Sequence, residues 1–281
     1  MSRLLIAGAG YVGQALAEKA LAAGTHEVSV LRRSPVQWPG VKSIQADLLQ
    51  PESLTVLRDV GDIVYCAAAD AADDASYKKI YQDGLRHLVE AVAKQGGYRR
   101  LIYVSSTSVY AESKGGWVDE TNQNLAQAGS SRFMVSGEKW LMEGRGDYSI
   151  LRMGGIYGPG RTWFLRRVKE GVERIYAQGG IYSNRIHRDD CVGMILHVLQ
   201  SEAQRQVYNG VDCEAADRNE VIRWMAQQLG MDPATLQSTE DRTQIPARGN
   251  KRISNRKILD AGYRFLYPTY REGYTALLHE V

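Results

Sequence analysis

The sequence predicts an α/β protein built on a doubly wound parallel sheet with a smaller C-terminal lobe, and three observations predict it. Six short runs rich in Val, Ile, Leu and Tyr punctuate the first two-thirds of the chain: Leu4–Ala7, Val28–Leu31, Ser43–Ala46, Ile63–Cys66, Leu101–Val104 and Tyr148–Leu151. Amphipathic segments separate several of them. One runs from Tyr77 to Lys94 and sets Leu85, Leu88, Val89 and Val92 at helical spacing. The runs are almost continuously apolar, as strands buried on both faces must be. Strands alternating with helices close right-handed βαβ units with helices on both faces of one sheet.

After Gly154 the pattern loosens, through Gly158-Pro159-Gly160 and Gly179-Gly180. Val192–Leu199 and Asn219–Leu229 read as helices, and Asn184–Ile186 and Gln206–Tyr208 as strands that return to the sheet. The expected division is residues 1–155 plus 184–210 for the sheet domain and 156–183 plus 211–281 for the substrate-side lobe. No repeat, low-complexity tract or linker interrupts the chain.

With 281 residues, 44% hydrophobic and 24% charged, the chain can bury a sizeable core without disulfides or metals. Its formal charge of +3 and the absence of a dense Lys/Arg block argue against nucleic acid as a partner. Cys66, Cys191 and Cys213 are odd in number and show no metal-ligand spacing, so reduced thiols and no metal site are expected. The first apolar run is short, and no stretch approaches the ~18 apolar residues of a membrane span. A cytoplasmic protein that does not engage a membrane is the expectation.

The first strand leads into Gly8-Ala9-Gly10-Tyr11-Val12-Gly13, a GxGxxG pattern followed at once by a helical one with Val12, Leu16, Ala20 and Leu21 on roughly one side. Such glycines serve a tight turn, close backbone approach to a pyrophosphate, and close packing of helix on strand. The helix start adds free N–H groups and the positive end of its dipole. In a chain that continues as βαβ, this is a Rossmann dinucleotide turn. Its binding residues are Gly8, Gly10, Tyr11, Val12 and Gly13.

The end of the second strand selects between cofactors. NAD binders place an acidic residue about 20 residues after the motif, where it holds the ribose hydroxyls. Here that place holds Arg32, followed by Arg33. An arginine pair suits the 2′-phosphate of NADP(H) through charge-assisted bonds. NADP is the expected cofactor, with NAD as the alternative.

Further stretches resemble one family in its own order. Asp47-Leu48 is similar to its pair beside the adenine, and Ala67-Ala68-Ala69 to the small-residue stretch that passes the cofactor. Tyr103 to Tyr110 resembles its strand-five segment, with Ser106 in place of the catalytic Ser/Thr. Leu151 to Gly160 resembles its R-x-x-x-I-Y-G-P-G stretch, His187-Arg188-Asp189-Asp190 its H-V-D-D helix start, and Val207-Tyr208-Asn209 its late strand. The chain is thereby identified as resembling the extended, atypical short-chain dehydrogenases/reductases of the NAD-dependent epimerase/dehydratase family. Lys251 to Asn255 and Tyr267 to Tyr274 resemble its YeeZ-like subgroup. The resemblance implies an NADP-dependent oxidoreductase or epimerase-like enzyme acting on a small-molecule substrate. It also implies pairing of two copies through the helices at Tyr77–Lys94 and Arg132–Met142.

The family's chemistry uses a Tyr-x-x-x-Lys pair, in which lysine lowers the tyrosine pKa for proton exchange. Aligned on Glu138, those positions hold Ser130 and Met134; aligned on Phe133, they hold Phe133 and Gly137. Neither register supplies the pair. A literal match at Tyr110 and Lys114 runs into Gly115-Gly116 and reads as loop. The expected catalytic residues are therefore Ser106 and Tyr157, with His187 and Tyr110 as other proton donors. Trp117, Trp163 and Phe164 read as core. A non-catalytic NAD(P)-binding sensor that kept the nucleotide site is the competing reading.

Overall fold

The computed structural model describes residues 1–240 and 249–281. Its contacts divide into two compact units. The first comprises Met1–Val109, Leu125–Arg152 and Val192–Tyr208, and the second Tyr110–Asn124, Met153–Cys191 and Asn209–Val281.

The first unit is built on a seven-stranded parallel sheet of β1 (Ser2–Ala7), β2 (His26–Arg32), β3 (Lys42–Gln45), β4 (Asp62–Tyr65), β5 (Arg100–Ser106), β6 (Tyr148–Met153) and β7 (Gln206–Gly210). The strand order is β7-β6-β5-β4-β1-β2-β3. Burial follows position: every residue of β4 and β6 is buried, whereas no residue of the edge strand β3 is. The expected α/β doubly wound fold is what the chain forms. Six predicted strands fall where the sequence sets them, and Gln206–Gly210 joins the sheet.

Helices α1 (Tyr11–Ala22), α2 (Asp74–Tyr77), α3 (Leu85–Ala93) and α4 (Ser131–Glu143) accompany the sheet. The predicted Tyr77–Lys94 helix is not uniform, because Lys78–Gly84 between α2 and α3 is π-helical. A π segment loosens the ordinary ladder, and two buried tyrosines use the carbonyls there. The Tyr65 hydroxyl donates to the Ile80 carbonyl over 2.5 Å and that of Tyr103 to Tyr81 over 3.3 Å. Glu138 of α4 accepts from Arg152 of β6 at both carboxylate oxygens, the shortest bond 2.6 Å, and from Ser105 of β5 over 2.6 Å. All three side chains are buried.

The second unit is assembled from short two-stranded pieces. Gly155–Tyr157 pairs in parallel with Arg185–His187, Trp117–Val118 with Arg252–Ile253, and Ile175–Tyr176 with Ser238–Thr239. Helices Trp163–Lys169, Arg218–Gln228 and Tyr270–Thr275 close a core around Leu165, Val168, Ile222, Met225, Tyr270 and Tyr274. Two expectations are corrected here. The strand expected at Asn184–Ile186 does not rejoin the main sheet, because Gly155–Tyr157 offers it a partner. Trp117 and Trp163 are not core residues, for each is 61% exposed. The Arg252 guanidinium sits over the Trp117 ring at 5.3 Å, and Trp163 leans on Phe164, which does pack against the core. Among the described residues, no helix is long and apolar enough to cross a membrane.

Candidate dinucleotide and catalytic site

Strand β1 lies between β2 and β4, and Ala7 stands in register with Leu31 on one side and Tyr65 on the other. The residues that follow these three strands therefore emerge along one sheet edge. The first is Gly8, at φ +100°, a conformation that favours glycine. A Cβ there would stand 2.4 Å from the Ala67 backbone, and one on Gly13 would stand 2.1 Å from the Gly8 carbonyl oxygen. The Cys66 thiol donates to that same oxygen over 2.9 Å, and burial pushes its pKa up to about 12. Gly10 is different. It caps α1 at φ −81°, and its Cβ would meet nothing within 4 Å.

Two glycines thus serve packing, and the third leaves open space at the helix start that a side chain would enter. No side chain caps the start of α1, and its first turn carries no acid. The exposed amides and uncancelled dipole fit a pyrophosphate. Tyr11 is half-buried at the helix start, and Val12 is buried.

Arg32 and Arg33 stand exposed at the end of β2. The Arg33 guanidinium meets Asp70 at 3.2 Å, and its carbonyl accepts from Gln45 over 3.1 Å. Asp47 holds its own turn: its carboxylate accepts from the Leu49 amide over 2.9 Å and its amide donates to Ser53. Leu48 is buried and packs in the core. Past β4, Ala67 and Ala69 are half-buried and Ala68 exposed, small side chains that leave the edge open.

Ser106 ends β5, and its Oγ accepts from the Ser108 amide over 3.1 Å. Helix α4 and the Ser130 that precedes it carry both registers of the family's pair. Phe133 is half-buried with the Arg132 guanidinium 4.2 Å from its ring, and Met134 is buried. Ser130, just before α4, donates to Asp74 over 2.8 Å. Gly137 faces the π-helical segment so closely that a Cβ would stand 2.2 Å from the Tyr81 carbonyl oxygen. No lysine fits there without moving that backbone.

In the second unit, Tyr110 is buried with its hydroxyl on Asn209 at 2.8 Å, and no helix carries it to Lys114. The lysine that reaches Tyr110 is Lys251, whose Nζ donates to the Tyr110 carbonyl over 2.5 Å. Burial brings that ammonium down to about 8.

Tyr157 and His187 are register partners in their strand pair, and Arg185 shares the face of His187. Tyr157 stacks on Tyr274 at 4.3 Å, and its hydroxyl occupies the space a Cβ of Gly273 would need. Burial, reinforced by the nearby Asp212 carboxyl, drives its pKa far up, so Tyr157 keeps its proton and can donate it in a hydrogen bond. His187 accepts from the Asp189 amide at Nδ1 and is held neutral chiefly by burial. Asp212 is the residue sequence reasoning missed. Burial pushes its carboxyl up to about 7, against the opposing pull of Arg185. Buried atoms without a hydrogen-bond partner here include Tyr157 Oη, Arg185 Nη1, His187 Nε2 and Asp212 Oδ2.

The NAD(P)H-binding family matches residues 7–202. The chain also resembles a protein of Methylobacillus flagellatus named for NAD-dependent epimerase/dehydratases. That structure is 32% identical, with a TM-score of 0.80 and 99% of this chain and 98% of that one covered. This chain belongs to the NAD(P)H-binding, atypical short-chain dehydrogenase/reductase family of epimerase/dehydratase type. Within it, Protein YeeZ of Escherichia coli K12 is 27% identical over 278 residues, covering 95% of this chain and 97% of that protein. The human epimerase family protein SDR39U1, solved with NADPH, shares the fold at 20% identity and a TM-score of 0.80, with 99% of this chain and 100% of that one covered.

Membership accounts for the glycine turn and for the motifs that continue into the second unit. The His187-Arg188-Asp189-Asp190 stretch has a structural task in this family member. Asp190 is buried and accepts from the Tyr263 hydroxyl at 2.9 Å, the Leu266 amide at 2.6 Å and the Tyr267 amide at 2.9 Å. Nothing in the local sequence distinguishes Asp212 beyond its place two residues after β7.

Proposed function

We propose that the protein is an NADP(H)-dependent oxidoreductase or epimerase-like enzyme, acting on a small-molecule substrate in a reducing, cytoplasmic setting. One observation carries the cofactor choice: the sheet edge beside the glycine cradle ends in Arg32 and Arg33, where an NAD binder would present an acid. A bound dinucleotide would supply the hydride. Gly8, Gly10, Tyr11, Val12 and Gly13 would receive its pyrophosphate, Asp47 and Leu48 its adenine, Arg32 and Arg33 its 2′-phosphate, and Ala67, Ala68 and Ala69 would line its passage. Ser106 would donate to the reacting oxygen, and Tyr157 would serve as a proton-holding donor.

A second reading, a cofactor sensor without turnover, is supported by α4, where Phe133 and Gly137 stand in one register of the family's pair and Gly137 admits no side chain. Native mass spectrometry of the protein as purified separates the two. A dinucleotide accompanied by a second, substrate-like metabolite supports the enzyme. Dinucleotide alone, with no NADPH oxidation across a panel of carbonyl compounds, supports the sensor.

A further inference from the structure

Two charged residues are joined across the mouth of the glycine turn. Because β1 runs between β2 and β4, Arg33 beyond β2 and Asp70 beyond β4 approach from opposite sides of it. One guanidinium nitrogen meets both carboxylate oxygens, at 3.3 and 3.2 Å. The neighbouring acids have other tasks: Asp73 caps α2 and Asp74 binds Arg132. The side chains of the bridge are 65% and 72% exposed, so it adds little to stability and opens at little cost. It closes the edge at which the arginine pair would meet a cofactor phosphate.

We propose that Asp70 sets cofactor discrimination by holding Arg33 in a strap that a 2′-phosphate must open. The inference rests on the NADP(H) reading above. A phosphate carries more charge than a carboxylate and binds a guanidinium through two bonds, so it displaces Asp70. It does so against the repulsion of the carboxylate it displaces. NADH offers Arg33 no such group and leaves the strap closed. Asp70 therefore holds NADPH affinity below what the two arginines alone would give, and leaves NADH affinity nearly untouched.

The test is calorimetric titration of NADPH and NADH into the wild type, Asp70→Asn, Arg33→Gln and the double variant, with circular dichroism as the check on folding. Asp70→Asn should tighten NADPH by about two- to fivefold and move NADH by less than about 1.5-fold, as expected for one exposed charge pair. The gain should vanish in the Arg33→Gln background. An unchanged NADPH-to-NADH ratio in Asp70→Asn overturns the inference. So does an equal gain with and without Arg33, which would make Asp70 a distant repulsive charge and no strap. The NADP(H) reading fails separately, if the wild type, Asp70→Asn and Arg33→Gln all bind the two cofactors equally.

Discussion

A Cβ on Gly13 would stand 2.1 Å from the carbonyl oxygen of Gly8, whereas one on Gly10 would meet no atom within 4 Å. The turn thus separates fold from ligand residue by residue. Gly13→Ala should destabilise the protein by about 2–4 kcal/mol in urea denaturation, since a methyl group is driven into backbone that cannot move aside. A stability within about 0.5 kcal/mol of wild type would contradict the packing role of Gly13.

Cofactor choice should follow the charge at the end of β2. Arg32→Asp should narrow or reverse the preference for NADPH over NADH, because each charge-assisted bond lost there contributes about 1.5–3 kcal/mol. Titration of both cofactors into both proteins checks it. A wild type with equal affinities would remove the basis for assigning Arg32 and Arg33 to a 2′-phosphate.

Ser106 and Lys114 should behave differently in any turnover assay. Ser106 ends β5 with its hydroxyl at the strand end, and its loss as Ser106→Ala should cost about 100-fold or more if it polarises the reacting oxygen. Lys114 is exposed on irregular chain, where its amide binds the half-buried Glu112, so Lys114→Ala should stay within a few-fold of wild type. The reverse ranking would show that the reacting atoms lie elsewhere.

Asp212 makes stability depend on pH. Its carboxyl is raised to about 7 in the folded state by burial, so the folded protein binds a proton that the unfolded chain has released above about 4. Its contribution is therefore greatest at low pH and is lost as pH rises toward 7. Asp212→Asn lacks that loss. Its advantage over wild type should grow by about 2 kcal/mol between pH 5 and pH 7 in urea denaturation. His187, held neutral by burial, weakens both proteins in acid and cancels from the difference. A pH-independent difference would show that Asp212 is ionised throughout.

What was legible in the sequence is what local pattern encodes. The apolar runs before Gly8 and through β4 and β5 announced buried parallel strands, and the spacing of Gly8, Gly10 and Gly13 announced a turn before a helix. The second unit was harder to read. Its strands are two or three residues long, so periodicity has nothing to act on, and Arg185–His187 found Gly155–Tyr157 where a return to the main sheet was expected. The π-helical turn was not legible, since the carbonyls it presents are met by the hydroxyls of Tyr65 and Tyr103, distant in sequence. Asp212 was hidden for the same reason, since its burial is supplied by the fold around it.

The most direct test of the account is the binding of NADPH to Gly10→Val. A Cβ at Gly10 meets no protein atom beyond its chain neighbours within 4 Å and its φ of −81° is negative, so the substitution is aimed at the space assigned to the pyrophosphate and not at the core. Calorimetric titration should give clear binding to the wild type and none to Gly10→Val, with the thermal midpoint of the free protein shifted by no more than a few degrees. Wild-type affinity in Gly10→Val would mean that the dinucleotide does not lie on this turn.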